Sequence, residues 1–143
     1  EIHRKQQMLW DNSNKGRQLY QIQKDIIKNT KPSKQLKNAE QQVINRLRTG
    51  KTLLQSSYGK YITDRQNNST KCPHCPEQET LHHILNTCQQ YNRQRDNMKE
   101  YQQRIQSPTT YPDMPDNSKN KNLDMTYRNV IQFLKDINQL QNI

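Results

Sequence analysis

The sequence offers little material for a large hydrophobic core. Only 29% of its 143 residues are hydrophobic, 6% are aromatic, and it contains one tryptophan and one phenylalanine. The mean hydropathy is -1.35, and ordinary globular domains are richer in apolar residues. No apolar run approaches the ~18 residues that a membrane-spanning helix needs. These shortages argue against a large core and a membrane span, and they predict a soluble chain with one domain, or one small domain with extensions.

Acidic residues are also scarce. Lysine and arginine number 23 against 13 acidic residues, which gives a net charge of +10 and a pI near 9.7. Such a balance favours a polyanionic partner, most often nucleic acid. The alternative is that the excess charge serves solubility alone. The composition therefore predicts RNA or DNA binding that depends mostly on contacts with backbone phosphates and weakens steeply with salt.

Cysteine is rare, and all three cysteines lie in one short stretch, from Cys72 and Cys75 to Cys88. A Cys-x2-Cys turn presents two sulfurs to one ion, and a short helix that carries a histidine towards a third cysteine completes a tetrahedron. His82 and His83 both precede Cys88 at a suitable spacing. They point about 100° apart on a helix, so only one of them can face the ion. The spacing predicts a CCHC zinc site with four protein ligands and a structural role.

Three other interpretations of this stretch are weaker. Buried free cysteines could act as small apolar residues. A disulfide framework conflicts with an odd number of cysteines and with the lack of a secretory signal. A zinc hydrolase needs an open ligand position and a general base, for which Glu77 and Glu79 are the nearby candidates. No polymerase-type Asp pair or set of carboxylates suited to two magnesium ions is found, so no catalytic activity is predicted.

Helical periodicity predicts a mainly α fold: a small helical bundle stapled by the zinc site, with a flexible linker and a C-terminal amphipathic helix. The predicted segments are an N-terminal helical segment at 1–31, a helical pair plus zinc module at 32–106, a linker at 107–122 and a C-terminal helix at 123–143. Apolar residues at helical spacing define the stripes, namely Leu19, Tyr20, Ile22, Ile26 and Ile27 before Pro32; Leu36, Ala39, Val43, Ile44 and Leu47; Leu53, Leu54, Tyr58, Tyr61 and Ile62; Tyr91, Met98, Tyr101 and Ile105; and Val130, Phe133, Leu134, Ile137 and Leu140.

Several polar residues are expected to begin these helices. Ser13 or Asn14 is the predicted cap of the second N-terminal helix, and Asp124 or Thr126 that of the last helix. Four residues are predicted to be structural, namely Trp10 as a packing anchor, Gly50 as a C-cap, Arg46 and Arg95.

A set of basic and aromatic residues is the candidate nucleic-acid surface. Its basic members would contact phosphates and its tyrosines would stack on bases, although tyrosines are more often buried in a core. The set comprises Arg48, Lys51, Lys60, Arg65, Lys71, Arg93, Tyr58 and Tyr61. Tyr91 is a further candidate for stacking.

Three stretches, Trp10 to Tyr20, Arg46 to Gly50 and Cys72 to Arg95, occur in an order that resembles a known family. They resemble the segment after the reverse transcriptase and RNase H domains in the second open reading frame protein of jockey-like non-LTR retrotransposons. In that family a Trp and Gly-Arg pair precede an Arg-Leu-Arg-Thr-Gly-His motif and a Cys-x2-Cys, Glu-Thr, His-x4-Cys knuckle. Here Lys51 replaces the motif's histidine, and the knuckle's histidine aligns with His83.

The resemblance implies a role in retrotransposition. The segment would bind element RNA or target DNA while the upstream polymerase copies it. That polymerase would belong to the same polyprotein and would be a reverse transcriptase. The upstream polymerase and RNase H domains would be its protein partners, and its location would be nuclear or cytoplasmic rather than secreted. The alternative is a zinc-stabilised protein-interaction or scaffold module, such as a domesticated remnant.

Overall fold

A computed structural model of the chain describes residues 1–26, 35–54, 70–106 and 122–143. The α-helices in these ranges are α1 (Ile2–Asn12), α2 (Arg17–Ile22), α3 (Asn38–Thr49), α4 (Asn92–Arg104) and α5 (Leu123–Asp136). A π-helical turn (His83–Thr87) and a 3-10 turn (Gln89–Tyr91) precede α4. Within the described ranges, β pairing is limited to an isolated antiparallel bridge between Lys71 and Gln78. The predicted mainly α fold is confirmed.

One buried cluster joins α3, the π-turn, α4 and α5. Helix α5 packs against both α4 and α3, and it contributes a continuous apolar stripe to the cluster. The largest fully buried apolar side chains are Phe133, Ile44, Leu47, Leu54, Ile84, Leu134 and Ile143. The prediction that the C-terminal helix docks on the bundle is therefore confirmed.

Polar contacts fix α5 in place around this core. Asn129 Nδ2 donates to the Met98 carbonyl of α4 at 2.8 Å, and Lys135 Nζ lies 2.8 Å from Glu40 Oε1 of α3. The hydrogen bond from Lys135 lowers the pKa of the Glu40 carboxyl. Glu40 also accepts from the Lys37 N–H at the start of α3, so one carboxylate both begins α3 and holds α5.

The N-terminal pair α1 and α2 is organised around Trp10. Trp10 Nε1 donates to the Gln23 carbonyl at 3.2 Å, and the Trp10 and Tyr20 rings meet edge to face with centroids 5.7 Å apart. The guanidinium of Arg17 lies 4.1 Å from the centroid of the Tyr20 ring and 5.7 Å from that of Trp10, within the range of cation–π attraction. Arg17 also donates to the Trp10 and Asp11 carbonyls at the end of α1. The structural role predicted for Trp10 agrees with these contacts.

Gly16 provides the turn that brings the two helices together. Its φ is +68°, and a Cβ placed there would lie 3.2 Å from two ring carbons of Trp10. A side chain at this position would therefore meet both a left-handed backbone and the indole ring.

We expect Gly16→Ala to lower the free energy of unfolding by about 1–2 kcal/mol, because an L-residue resists this left-handed backbone. Trp10, the only tryptophan, reports the loss by fluorescence during urea unfolding. Gly16→Asn should cost less, since Asn enters the left-handed region more easily. The exposed neighbour change Lys15→Ala is the control. An alanine variant as stable as the unchanged protein would contradict the role given to Gly16.

Several local predictions need correction. Helix α2 ends at Ile22 rather than continuing through Ile26 to Pro32, because the Gln23 carbonyl turns towards Trp10. Ile26 is exposed, while residues 27–34 lie outside the described ranges. The caps predicted for α2 are wrong, since Gly16 begins this helix without a side-chain cap.

The predicted caps of α5 are also wrong. Asn122 begins the helix, and Thr126 instead donates its hydroxyl to the Asn122 carbonyl at 3.2 Å. In α4, Tyr101 is exposed and Gln102 is buried in its place, whereas Met98 is buried as predicted.

The end of α3 follows the prediction more closely. Gly50 terminates the helix with φ of +70°, which is the C-cap conformation that glycine favours. Leu53, however, is not helical: its N–H donates to the Asn142 carbonyl at 2.8 Å. The rest of the predicted second helix, from 55, and residues 107–121 of the linker predicted at 107–122 lie outside the described residues.

Candidate metal centre

The first half of the site is the turn between Cys72 and Glu79. The Cys72 N–H donates to the Glu77 carbonyl at 2.8 Å, and the Glu79 N–H donates to the Thr70 carbonyl at 2.9 Å. These bonds close a short hairpin around Pro73 and Pro76, whose missing N–H groups suit a turn rather than a strand. The hairpin brings Cys72 and Cys75 to the same side.

The second half of the site is a short helical turn. Thr80 begins it, since its Oγ1 accepts the backbone N–H of His83 at 3.0 Å, as an N-cap residue does. The Cys88 N–H then donates to the His83 carbonyl at 2.8 Å, which is an i→i+5 bond of the π type. In an α-helix, Cys88 would lie about 140° around the axis from His83. The π-turn absorbs one extra residue and returns Cys88 to the side of His83.

The two halves place four ligand atoms together. Those of Cys72, Cys75, His83 and Cys88 all lie within 4.8 Å of one another, and within the described ranges they form the group that could hold a metal ion. Cys72 Sγ and Cys88 Sγ are 3.8 Å apart, close to the ~3.8 Å expected for two thiolates that each bind one zinc at ~2.3 Å. Cys75 Sγ and His83 Nε2 are 3.0 Å apart, so these two would separate slightly on binding.

His83 is held with its Nε2 towards the sulfurs. Its Nδ1 lies 2.7 Å from Glu77 Oε2 and 3.1 Å from Thr87 Oγ1. An ionised carboxylate only accepts hydrogen bonds, so Nδ1 carries the proton and the Nε2 lone pair is left for an ion. His82 is exposed, whereas His83 is buried. The geometry therefore selects His83 from the two histidines that the spacing alone leaves possible.

Cys88, which is buried, and Cys75, which is half-buried, favour the thiol in the absence of metal. Burial raises the pKa of the Cys88 thiol to about 11, and burial also raises the pKa of Cys75, with a further rise from its hydrogen bond to Cys72. Because the thiolate is the metal ligand, binding must release the protons of these two thiols. An ion at this site thus competes with protons and is held more weakly as the pH falls.

Arg95 ties the site to α4. This residue is 3% exposed, its Nε donates to the Leu85 carbonyl at 2.9 Å, and its Nη2 donates to the Ile84 and Cys88 carbonyls at 3.2 and 2.9 Å. These carbonyls lie in or just after the π-turn and cannot all be paired within it. Burial lowers the pKa of Arg95, and a charged Cys88 opposes that effect. The structural role predicted for Arg95 agrees with these contacts.

The residues predicted to contact nucleic acid fall into three groups. Exposed side chains belong to Lys51, Lys71 and Arg93. Residues outside the described ranges are Lys60, Arg65, Tyr58 and Tyr61. The third group, Arg48 and Tyr91, is buried, and it requires correction.

Arg48 does not lie on an outer surface. It is 6% exposed, and its Nη2 donates to Gln23 Oε1 at 3.1 Å, because α3 directs this side chain towards the end of α2. Arg46, two residues earlier, donates to the Ile143 carbonyl, in keeping with its predicted structural role. Tyr91 belongs to the buried cluster, and its ring meets the edge of His74. Neither Arg48 nor Tyr91 can reach a nucleic acid in this arrangement.

Sequence reasoning missed the two residues whose side chains contact His83 Nδ1. Glu77 is named from the sequence only as a possible base of a hydrolase, and Thr87 has no predicted role. The signal for Thr87 is its position four residues after His83, one helical turn away. The signal for Glu77 is its place just after the cysteine turn, because a metal-binding histidine usually donates its second N–H to a carboxylate or carbonyl.

Comparison with known proteins finds no matching family model, no matching curated protein and no matching solved structure. In the described ranges, no helix combines the length and the apolar character that a membrane crossing demands. The function of the chain must therefore be inferred from its own residues and geometry.

Proposed function

We propose that this chain is a zinc-stabilised module that binds RNA or DNA, and that it works in the polyprotein of a jockey-like non-LTR retrotransposon. The observation that carries the zinc proposal is the convergence of three cysteine sulfurs and one histidine nitrogen within 4.8 Å. Three sulfurs and one imidazole form a tetrahedral set that zinc prefers, and four protein ligands leave no place for a reactive water. The ion would thus be structural.

The nucleic-acid part rests on charge. The chain carries a net charge of +10, and Lys51, Lys71 and Arg93 are exposed. Three thiolates on a divalent ion give the metal cluster a net negative charge, so the cluster itself would repel phosphates. The basic side chains outside it would make the contacts, with little preference for sequence. The order of the Trp-Gly-Arg, Arg-Leu-Arg-Thr-Gly and Cys-His motifs supports the retrotransposon context.

Metal content tests the first part of the proposal. Elemental analysis of the purified protein should find one zinc per chain, and the zinc should be lost in His83→Ala and kept in His82→Ala. The second variant is a matched control, because it removes an adjacent but exposed imidazole. A folded protein without zinc would overturn this part.

Salt-dependent binding tests the second part. We expect the zinc-loaded protein to bind single-stranded RNA or DNA with an affinity that falls steeply between 50 and 200 mM salt, since bound phosphates release counterions. The triple variant Lys51→Gln, Lys71→Gln, Arg93→Gln should weaken binding and lower the slope of log K against log salt by about 2–3. A control triple variant with glutamine at Lys5, Lys15 and Lys99 removes the same charge from other exposed positions. If both triple variants weaken nucleic-acid binding equally, a binding surface that depends on Lys51, Lys71 and Arg93 is contradicted.

A protein-interaction module is the second candidate, and one observation favours it. Ile2, Met8 and Leu9 on α1 are exposed large apolar side chains, which a partner protein would cover. The apolar stripe of α5, in contrast, is already buried against α3 and α4. Self-association that Leu9→Gln abolishes, together with no affinity for nucleic acid, would favour this candidate.

A further inference from the structure

We propose that Glu77 is a positioning residue for the metal: its side chain holds His83 in the orientation that binds zinc, and it sets the affinity of the site. The inference rests on the proposed zinc function and deepens it. Glu77 itself is not a ligand, since its carboxylate contacts the far nitrogen of the imidazole.

The first reason is the geometry around the His83 ring. Nε2 faces Cys75 Sγ at 3.0 Å, and Nδ1 faces Glu77 Oε2 at 2.7 Å. A neutral imidazole has one N–H and one lone pair, so a carboxylate at Nδ1 leaves the lone pair on Nε2. A hydrogen bond to a charged acceptor is about twice as strong as a neutral one. The carboxylate therefore fixes both the tautomer and the tilt of the ring.

The second reason is that Glu77 contacts both halves of the site. Its backbone carbonyl accepts the Cys72 N–H at 2.8 Å, while its side chain reaches His83. Glu77 thus fixes the position of the cysteine hairpin relative to the π-turn. Its side chain is 64% exposed, so apolar packing does not account for its position, and replacing it removes little buried surface.

Thr87 provides a second, weaker contact with the same nitrogen. Its Oγ1 lies 3.1 Å from His83 Nδ1 and can donate its own proton to the His83 carbonyl at 3.4 Å. A neutral hydroxyl accepts a weaker hydrogen bond than a carboxylate. Thr87 would therefore keep part of the ring orientation when Glu77 is replaced.

The test is the zinc affinity of the full chain, measured by competition with a chromophoric chelator. We expect Glu77→Ala to bind zinc about 10–100-fold more weakly, the range found when an outer partner of a metal ligand is removed. Glu77→Gln keeps an acceptor without the charge and should lie between Glu77→Ala and the unchanged protein. Thr87→Val should have a smaller effect than Glu77→Ala, and the double variant the largest. Alanine at 77 keeps the backbone bond to Cys72, so only the side chain is tested.

Glu100→Ala is the matched control, because Glu100 is a similarly exposed carboxylate on α4. It removes the same charge from the chain and should leave zinc affinity unchanged. A spectroscopic readout separates positioning from general stability: the imidazole nitrogen-15 shifts of His83, recorded with saturating zinc, should change in Glu77→Ala and not in Glu100→Ala. Far-UV circular dichroism should show equal helix content in all of the zinc-saturated proteins.

The outcomes distinguish the inference from the proposal beneath it. If the unchanged protein binds zinc tightly and Glu77→Ala binds it within twofold, the positioning role is wrong and the zinc proposal stands. If the unchanged protein binds no zinc, both are wrong. A loss of 10-fold or more in Glu77→Ala, with affinity retained in Glu100→Ala and partly restored by Gln, would support the inference.

Discussion

Removal of zinc is expected to abolish the cooperative unfolding transition of the bundle. Cys72 and Cys88 belong to the same buried cluster as Ile84, Tyr91 and Phe133, so two of the four candidate ligands are part of the core. Structural zinc contributes about 10–16 kcal/mol to the folding of zinc-finger peptides, which rivals the whole stability of a typical domain, about 5–15 kcal/mol. With 29% hydrophobic residues, this chain has little other stabilisation to replace it.

The measurement is thermal unfolding followed by far-UV circular dichroism, before and after dialysis against a strong chelator. The zinc-loaded protein should melt in a single transition, and the chelated protein should show reduced helix content and no transition. Zinc returned in equimolar amount should restore the curve, whereas magnesium, which prefers oxygen ligands, should not. A chelated protein that melts within a few degrees of the loaded one would contradict a structural role for the ion.

Replacement of Arg95 is expected to cause a large loss of stability, although Arg95 is not one of the four candidate ligands. Arg95→Ala removes the guanidinium donor from the carbonyls of Ile84 and Leu85 inside the core, while the Cys88 carbonyl keeps the Tyr91 N–H. An unpaired buried polar group costs about 1–3 kcal/mol, so the loss from these two carbonyls should reach about 2 kcal/mol or more. The variant also removes the positive charge that lies beside the thiolates of the metal-bound state.

Chemical denaturation of the zinc-saturated protein measures this loss. Arg93→Ala is the matched control, since Arg93 lies on the same helix with an exposed side chain, and its change should stay within about 0.5 kcal/mol. Arg95→Lys should recover only part of the stability, because an ammonium cannot reproduce the fork of donors that a guanidinium offers. Equal stability of Arg95→Ala and Arg93→Ala would refute the role of Arg95 as the tie between α4 and the π-turn.

The metal group is the part of the molecule that the sequence predicts best. Its ligands lie close together in the chain, and the Cys-x2-Cys turn is dictated by local geometry rather than by distant contacts. The spacing does not decide between His82 and His83, because these neighbouring residues lie at nearly the same distance along the chain from Cys88. Burial and the contacts of Glu77 and Thr87 decide it, and these depend on how the hairpin folds back onto the π-turn.

Predictions about exposure succeed less well for the same reason. Arg48 resembles a surface arginine in sequence, yet its partner Gln23 comes from α2, 25 residues earlier in the chain. Helix α2 ends early because the Gln23 carbonyl accepts a hydrogen bond from Trp10. This contact joins two short helices, so the apolar periodicity of either helix does not predict it. In contrast, the buried face of α5 is predicted correctly at Val130, Phe133 and Leu134, since its burial follows from its own apolar pattern. The predicted extent of the helix, 123–143, is wrong, because α5 ends at Asp136.

The π-turn also determines which side chain comes to lie beside His83. In a regular α-helix, the residue one turn after His83 is Thr87, and a cysteine placed there would reach the ion with no irregularity in the backbone. Here the candidate ligand Cys88 falls one residue later, and the widened turn leaves position 87 for a hydroxyl that contacts His83 Nδ1. A one-residue deletion in this turn that moved the cysteine to 87 could thus keep the ion, but it would lose this contact with the histidine.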